Sequence, residues 1–269
     1  MRLTVLGRAT ALAAGVMAVA ACDVVLAQKE SETVNRTVAF PANGTLKLRN
    51  FSGDVHITAT SGHDVVVKAV RDAERDRLDH VKLDIESSGS TVSIDANKRD
   101  DSWRERDNNV VHTTFDIEVP ASAMLDVDVF SSHVTIEGVT GSQRLHTFSG
   151  EITVNGAKSP ITAETFNGDV DIEAKAAGAS PDLTVHTFSG HISAKLADNA
   201  AGSVTFDSFS GRFDSDLPLA LHSAGRARDT RDRHRGDQSS DTKSTTSPAP
   251  SGDSKLQFHT FSGSVKIVK

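Results

Sequence analysis

A chain of 269 residues with 37% hydrophobic and 5% aromatic content, no Tyr and one Cys has room for one or two domains but lacks the large side chains that fill a thick, round core. Its formal net charge of -7 becomes -9 without Arg2 and Arg8, and no basic stripe interleaved with aromatics runs through it, which argues against nucleic acid as a partner. A single Cys excludes an intramolecular disulfide, so stability is expected to come from stacked strands.

Residues 1–27 have a short basic start, an apolar run over 9–21 and small residues after it. That is the pattern of a secretory signal peptide, too short to span a membrane. Val19-Ala20-Ala21-Cys22 resembles a bacterial lipobox, in which cleavage before Cys22 leaves that Cys as the acylated first residue. The alternative is cleavage after Val25-Leu26-Ala27, which discards Cys22. Both readings make the protein extracytoplasmic, as a periplasmic or cell-envelope lipoprotein in the first case. Asp23, directly after Cys22, is the residue that holds some lipoproteins at the inner membrane. A linker over 28–33 is expected next.

Residues 34–119 form an irregular N-terminal β region. Strands are readable at 34–40, 45–49, 55–58, 65–70, 81–85, 92–95 and 110–119, and the charged stretch 71–79 reads as a loop or one helical turn. From 120 to 217 the chain repeats itself. Phe51-Ser52-Gly53 returns as Phe130-Ser131-Ser132, Phe148-Ser149-Gly150, Phe166-Asn167-Gly168, Phe188-Ser189-Gly190, Phe209-Ser210-Gly211 and Phe261-Ser262-Gly263. Successive Phe residues in the repeat region lie 18 to 22 positions apart, and each period holds a strand, a corner, a second strand and a turn. Strands this short bury no face alone, but stacked in register they bury a continuous one. The expected fold is therefore all-β, a parallel β-solenoid (β-helix) of short strands with 18–22-residue coils and an irregular N-terminal β cap.

Three columns follow from that stacking. Val127, Leu145, Ala163, Val185, Phe206 and Phe258 make one apolar column, and Val134, Ile152, Val170, Ile192, Phe213 and Val265 another. Between them runs the column Val129, Thr147, Thr165, Thr187, Ser208 and Thr260, a ladder of small hydroxyls after its first residue, which can bond from coil to coil. Strict alternation points the Phe residues away from Leu145 and Thr147, unless the corner breaks parity. They are either an aromatic stack packed at the corner or an exposed stripe that binds something. The Gly after each Ser is expected to take a conformation that other residues avoid.

Residues 218–254 are nearly devoid of apolar side chains and read as a disordered inserted loop, with 255–269 returning as the final coil. Arg235-Gly236-Asp237 within it matches an adhesion triplet, which chance explains in so polar a segment.

No nucleophile elbow, metalloprotease helix or phosphate loop is present, and no Cys-based metal site. Asp169, Asp171 and Glu173 alternate with Val170 and Ile172, as Asp126 and Asp128 do with Val127, so their carboxylates share an outward face. An ordinary solvated strand face is the plain reading. Calcium on Asn167, Asp169 and Asp171 is a weak second, and glycosidic catalysis by surface carboxylates a third, since nothing singles out one pair at a defined gap. No cofactor is implied. The residues two before each Phe are less plain: Asp128, His146, Glu164, His186, Asp207 and His259 alternate acid and histidine in chain order, a candidate cross-strand ladder.

The Ser-Gly-acid-Val/Ile rhythm of Phe51-Ser52-Gly53-Asp54-Val55, Phe148-Ser149-Gly150-Glu151-Ile152 and Phe166-Asn167-Gly168-Asp169-Val170, with the leader, resembles the bacterial domain-of-unknown-function family labelled putative adhesin. Phe130-Ser131-Ser132 departs from it in lacking the Gly, and Gly211-Arg212 in lacking the acid. The resemblance implies a β-solenoid and a non-catalytic envelope binding or scaffold protein, linked in some members to adhesion and in others to envelope stress. Its partner would be an envelope protein or polysaccharide, with the membrane reached through a lipid anchor on Cys22. A polysaccharide-active β-helix enzyme is the alternative function.

Overall fold

The structure, a computed structural model, describes residues 29–99, 110–174, 181–197, 200, 202–217, 222–223, 243–248 and 254–269. The leader, with Cys22 and Asp23, and Arg235-Gly236-Asp237 lie outside the described residues.

Alternation of apolar and polar residues builds strands throughout. The N-terminal region contributes β1 (Lys29–Ala39), β2 (Thr45–Ser52), β3 (Val55–Thr60), β4 (Asp64–Glu74), β5 (Val81–Ser88), β6 (Thr91–Arg99) and β7 (His112–Pro120). The charged stretch after β4 closes into α1 (Arg75–His80), a helix of six residues. β1 already begins at Lys29, so residues expected to be a linker pair with β4.

The repeats supply strand pairs joined at each Phe-Ser-Gly corner: β8 (Met124–Ser131) with β9 (Val134–Glu137), β10 (Gln143–Ser149) with β11 (Ile152–Asn155), β12 (Ile161–Asn167) with β13 (Val170–Ala174), and β14 (Leu183–Ser189) with β15 (Ile192–Leu196). The long strands β16 (Gly202–Ser215) and β19 (Ser254–Val268) run through the corner without a break. Two short strands, β17 (His222–Ser223) and β18 (Lys243–Pro248), fall inside the segment expected to be a disordered insert.

Like residues pair with like. Leu145 lies between Val127 and Ala163 in one ladder, and Ile152 between Val134 and Val170 in the other. Both columns are buried apart from Phe213, which is partly exposed, and they form one continuous core between the two layers. β2 and β3 carry the same registers back into the N-terminal region, pairing in parallel with β8 and β9.

The expectation of a parallel β-solenoid is nevertheless corrected. The described strands belong to a single sheet of mixed orientation, wrapped around its core as a flattened, nearly closed barrel. β1 runs antiparallel to β4, β4 to β7, β5 to β6, and β18 to both β16 and β17. The physical reason is connection length. A residue period reports which side chains share a column, whereas strand direction follows from how the chain returns, and the two-residue link Gly89-Ser90 between β5 and β6 forces a reversal.

The order of strands also departs from the order in sequence. β14 pairs with β19, not β16, and β16 lies beyond β19. The C-terminal strand, with Leu256, Phe258, Val265 and Ile267 all buried, takes the inner position. β16, whose second half reads Gly211-Arg212-Phe213-Asp214-Ser215, tolerates the outer one, where charge on a strand discourages further pairing.

Candidate functional site

The corners carry the most unusual surface of the molecule. Strand parity is not broken there: Leu145 and Thr147 point inward and His146 and Phe148 outward, and the same holds at every repeat. The seven corner Phe residues are therefore on the outside, each 39 to 50% exposed. Among the described residues the only other exposed large hydrophobic is Val66.

Their rings form one uninterrupted stack in the order Phe51, Phe130, Phe148, Phe166, Phe188, Phe261 and Phe209. Centroids are 4.6 to 5.0 Å apart and planes 2 to 15° from parallel. That interval is the spacing of paired strands, so the backbone sets it and not ring attraction, which favours offset or edge-to-face geometry. Each inner ring has both faces covered by its neighbours and presents its C–H rim. The result is an apolar ridge of roughly 28 Å, six strand spacings long.

Glycine makes the tight corner possible. Gly150 has φ 144°, and a Cβ there would lie 2.0 Å from the carbonyl oxygen of Ser132 on the neighbouring corner. The hydroxyl column behind the ridge is buried, and two of its hydroxyls bond to the backbone of the neighbouring corner. Thr147 Oγ1 donates to Ser132 O at 3.4 Å and Thr187 Oγ1 to Gly168 O at 3.4 Å. Asn50 takes the same column position at the start, its Nδ2 donating to Gly53 O and Thr113 O at 3.0 and 2.8 Å.

The acid–histidine column lies on the outer face beside the ridge, because residues i and i+2 of a strand share a face. His146 pairs in register with Asp128 and Glu164, and its Nδ1 is 2.9 Å from Asp128 Oδ1. His186 pairs with Glu164 on one side. On its other side stands His259, ring on ring at 4.5 Å, and Asp207 follows, 3.3 Å from His259 Nδ1. The inner placement of β19 thus interrupts the alternation. Burial, reinforced by the adjacent His259 and only partly offset by Glu164, pushes the His186 pKa below the ordinary histidine value. His146, Glu164, His186, His259 and Asp207 with their Phe neighbours outline a shallow groove of about 500 Å³.

A second column on the far flank escaped the sequence reading. It consists of the residues three after each Phe: Asp54, His133, Glu151, Asp169 and His191, then Ser264 and Arg212 in spatial order. Neighbours in it are joined: His133 N donates to Asp54 Oδ1 at 3.3 Å, Glu151 N to His133 Nδ1 at 3.2 Å, and His191 N to Asp169 Oδ1 at 2.7 Å. The signal was in the sequence as a fixed offset from Phe, hidden because its acids had been absorbed into the repeat motif.

The remaining candidates are not drawn together in the same way. Asn167 and Asp169 flank the Gly168 corner, where Asp169 already accepts the His191 amide. Asp171 pairs in register with Thr153 and Ser193. Among the described residues no group of three His, Cys, Asp or Glu side chains stands close enough to hold a metal. Glu173 is 3.5 Å from Lys195.

No protein-family model matches the chain, and no curated protein matches it. Solved structures resemble it. A putative cell adhesion protein from Clostridium sporogenes ATCC 15579 is 10% identical over 88% of this chain and 99% of that one, with a TM-score of 0.47. A putative adhesin from Bacteroides fragilis NCTC 9343 is 14% identical over 88% and 97%, with a TM-score of 0.32. A putative adhesin from Parabacteroides distasonis ATCC 8503 is 12% identical over 89% and 97%, with a TM-score of 0.30.

Proposed function

We propose that this chain is a non-catalytic binding or scaffold protein of the cell envelope and that the Phe ridge is its binding surface. The observation that carries the reading is the uninterrupted stack of seven exposed rings. A soluble protein rarely leaves so long an apolar patch in water unless something covers it. Export is supported by the leader pattern at 1–27, and membrane attachment by acylation of Cys22. Of the carboxylates weighed for glycosidic chemistry, Asp169 and Glu173 are engaged by His191 and Lys195.

The test is site-specific photo-crosslinking in intact cells, with a photoreactive phenylalanine analogue at position 148 and, as control, at position 153 on the strand beyond the corner. A discrete adduct at 148 that is missing at 153 is expected. No adduct at either position would overturn the reading. Metabolic palmitate labelling of wild type and Cys22→Ala gives an independent check on the anchor, with label expected only in wild type.

A further inference from the structure

We propose that the occupant of the ridge is a second copy of this chain, laid antiparallel so that the two Phe stacks meet about a twofold axis; this rests on the ridge being a binding surface. The first support is area. Seven rings, each close to half exposed, present roughly 600 Å² of apolar surface, and with the polar flanks the contact reaches the roughly 800 Å² per partner of a standard interface.

The second is the way the rings are presented. A saccharide packs its C–H face on an open aromatic face, and among the described residues only the outer faces of Phe51 and Phe209 in this stack are free of a ring neighbour. A membrane is disfavoured by charge. The two flanking columns carry six carboxylates (Asp54, Asp128, Glu151, Glu164, Asp169 and Asp207) against two guanidiniums, Arg49 and Arg212. That excess repels anionic headgroups. A rim-lined ridge instead fits against another of the same pitch.

The third is charge order. From the Phe51 end to the Phe209 end, the near flank begins with Arg49 and Asp128 and finishes with His259 and Asp207. Turned end for end on a second copy, Arg49 meets Asp207 and Asp128 meets His259. The far flank obeys the same rule, since Asp54 meets Arg212 and Glu151 meets His191. Self-complementarity of this kind is what a twofold interface requires. The central Glu164 and Asp169 meet their own copies, so the pairing carries a carboxylate repulsion at the axis.

Five histidines flank the ridge: His133, His146, His186, His191 and His259. The other charges bearing on the flanks are Lys47, Asp126, Arg144 and Asp95 on the near side and His56, Asp171, Asp214 and Lys266 on the far side, of mixed sign.

Sedimentation velocity of the processed, purified protein from 1 to 100 µM is the test. Wild type is expected to show a monomer–dimer equilibrium, at least tenfold weaker in the double variant Phe148→Ser, Phe166→Ser. Arg49→Glu should weaken it and Arg49→Glu with Asp207→Arg restore it. The two side chains sit at opposite ends of the ridge, so a rescue is intermolecular. Should the Phe variant lose its strand signal by circular dichroism, the charge-swap pair, at solvent-accessible positions, decides the matter. Monomer at every concentration, or a dimer indifferent to all these changes, overturns self-pairing. Monomer together with a crosslink from position 148 to a different protein removes the second copy but leaves the binding surface standing; no crosslink of any kind removes both.

Discussion

At Gly150 one hydrogen atom decides whether two corners can stack. With φ at 144° and the Ser132 carbonyl oxygen 2.0 Å from where a Cβ would sit, Gly150→Ala must push two backbones apart. A loss of about 3 kcal/mol in denaturant unfolding is expected, within the range of substitutions that break a special backbone position. Ser132 shows the other side of the same rule. It occupies a Gly position without the Gly, and its hydroxyl ends up buried with no hydrogen-bond partner. The histidines divide by neighbour. His186 is held below the usual histidine value by burial first and by His259 second. A lowered folded-state pKa means its contribution to stability is present above the unfolded value of about 6.5 and is lost as pH falls toward the folded value. NMR titration of His259→Asn should move the His186 midpoint upward, since one of the two lowering causes is removed while Glu164 remains. An unmoved midpoint would mean burial alone sets it.

Among the elements, β19 is the informative one. Sequence order places it last, after Asp207, yet it lies between β14 and β16. The segment joining β16 to β19 therefore steps back by one strand spacing, a distance that the ordinary repeat turns cover with the five residues between β11 and β12. Replacing 218–253 with a Gly/Asn linker of about eight residues should keep the fold, because lengthening or shortening a flexible connection changes its closure cost by only about 0.6 kcal/mol per doubling. β17 and β18 would go with it, exposing the free edge of Ser203–Ser208 in β16. A fall in thermal midpoint limited to a few degrees is expected. Collapse of the whole transition would show that the β18 contact, and not the β14–β19 ladder, holds the end of the sheet.

For the molecule as a whole, stability lies in the two apolar columns between the layers. Ile152→Asp, at a fully buried position between Val134 and Val170, should abolish cooperative unfolding or cost on the order of 4 kcal/mol or more, because the carboxylate has no partner there. Those columns were legible in the sequence. Their period of two within a strand and about twenty between repeats depends only on which residues alternate, and alternation is a local property. The outward aim of Phe148 and of the acid–histidine column follows from the same parity. Local pattern was silent on the rest. It could not report that Gly89-Ser90 makes a hairpin whose reversal turns a parallel stack into a mixed sheet. Nor could it place β19 inside β16, which brings His186 against His259. Strand neighbours are chosen by competition for burial across the finished sheet, and residues tens of positions apart settle that competition. By itself the sequence determined which side chains lie inward, which lie outward and that the Phe corners repeat. The tertiary structure alone decided which corners are neighbours, and with that the unbroken ridge and the order of charge along its flanks.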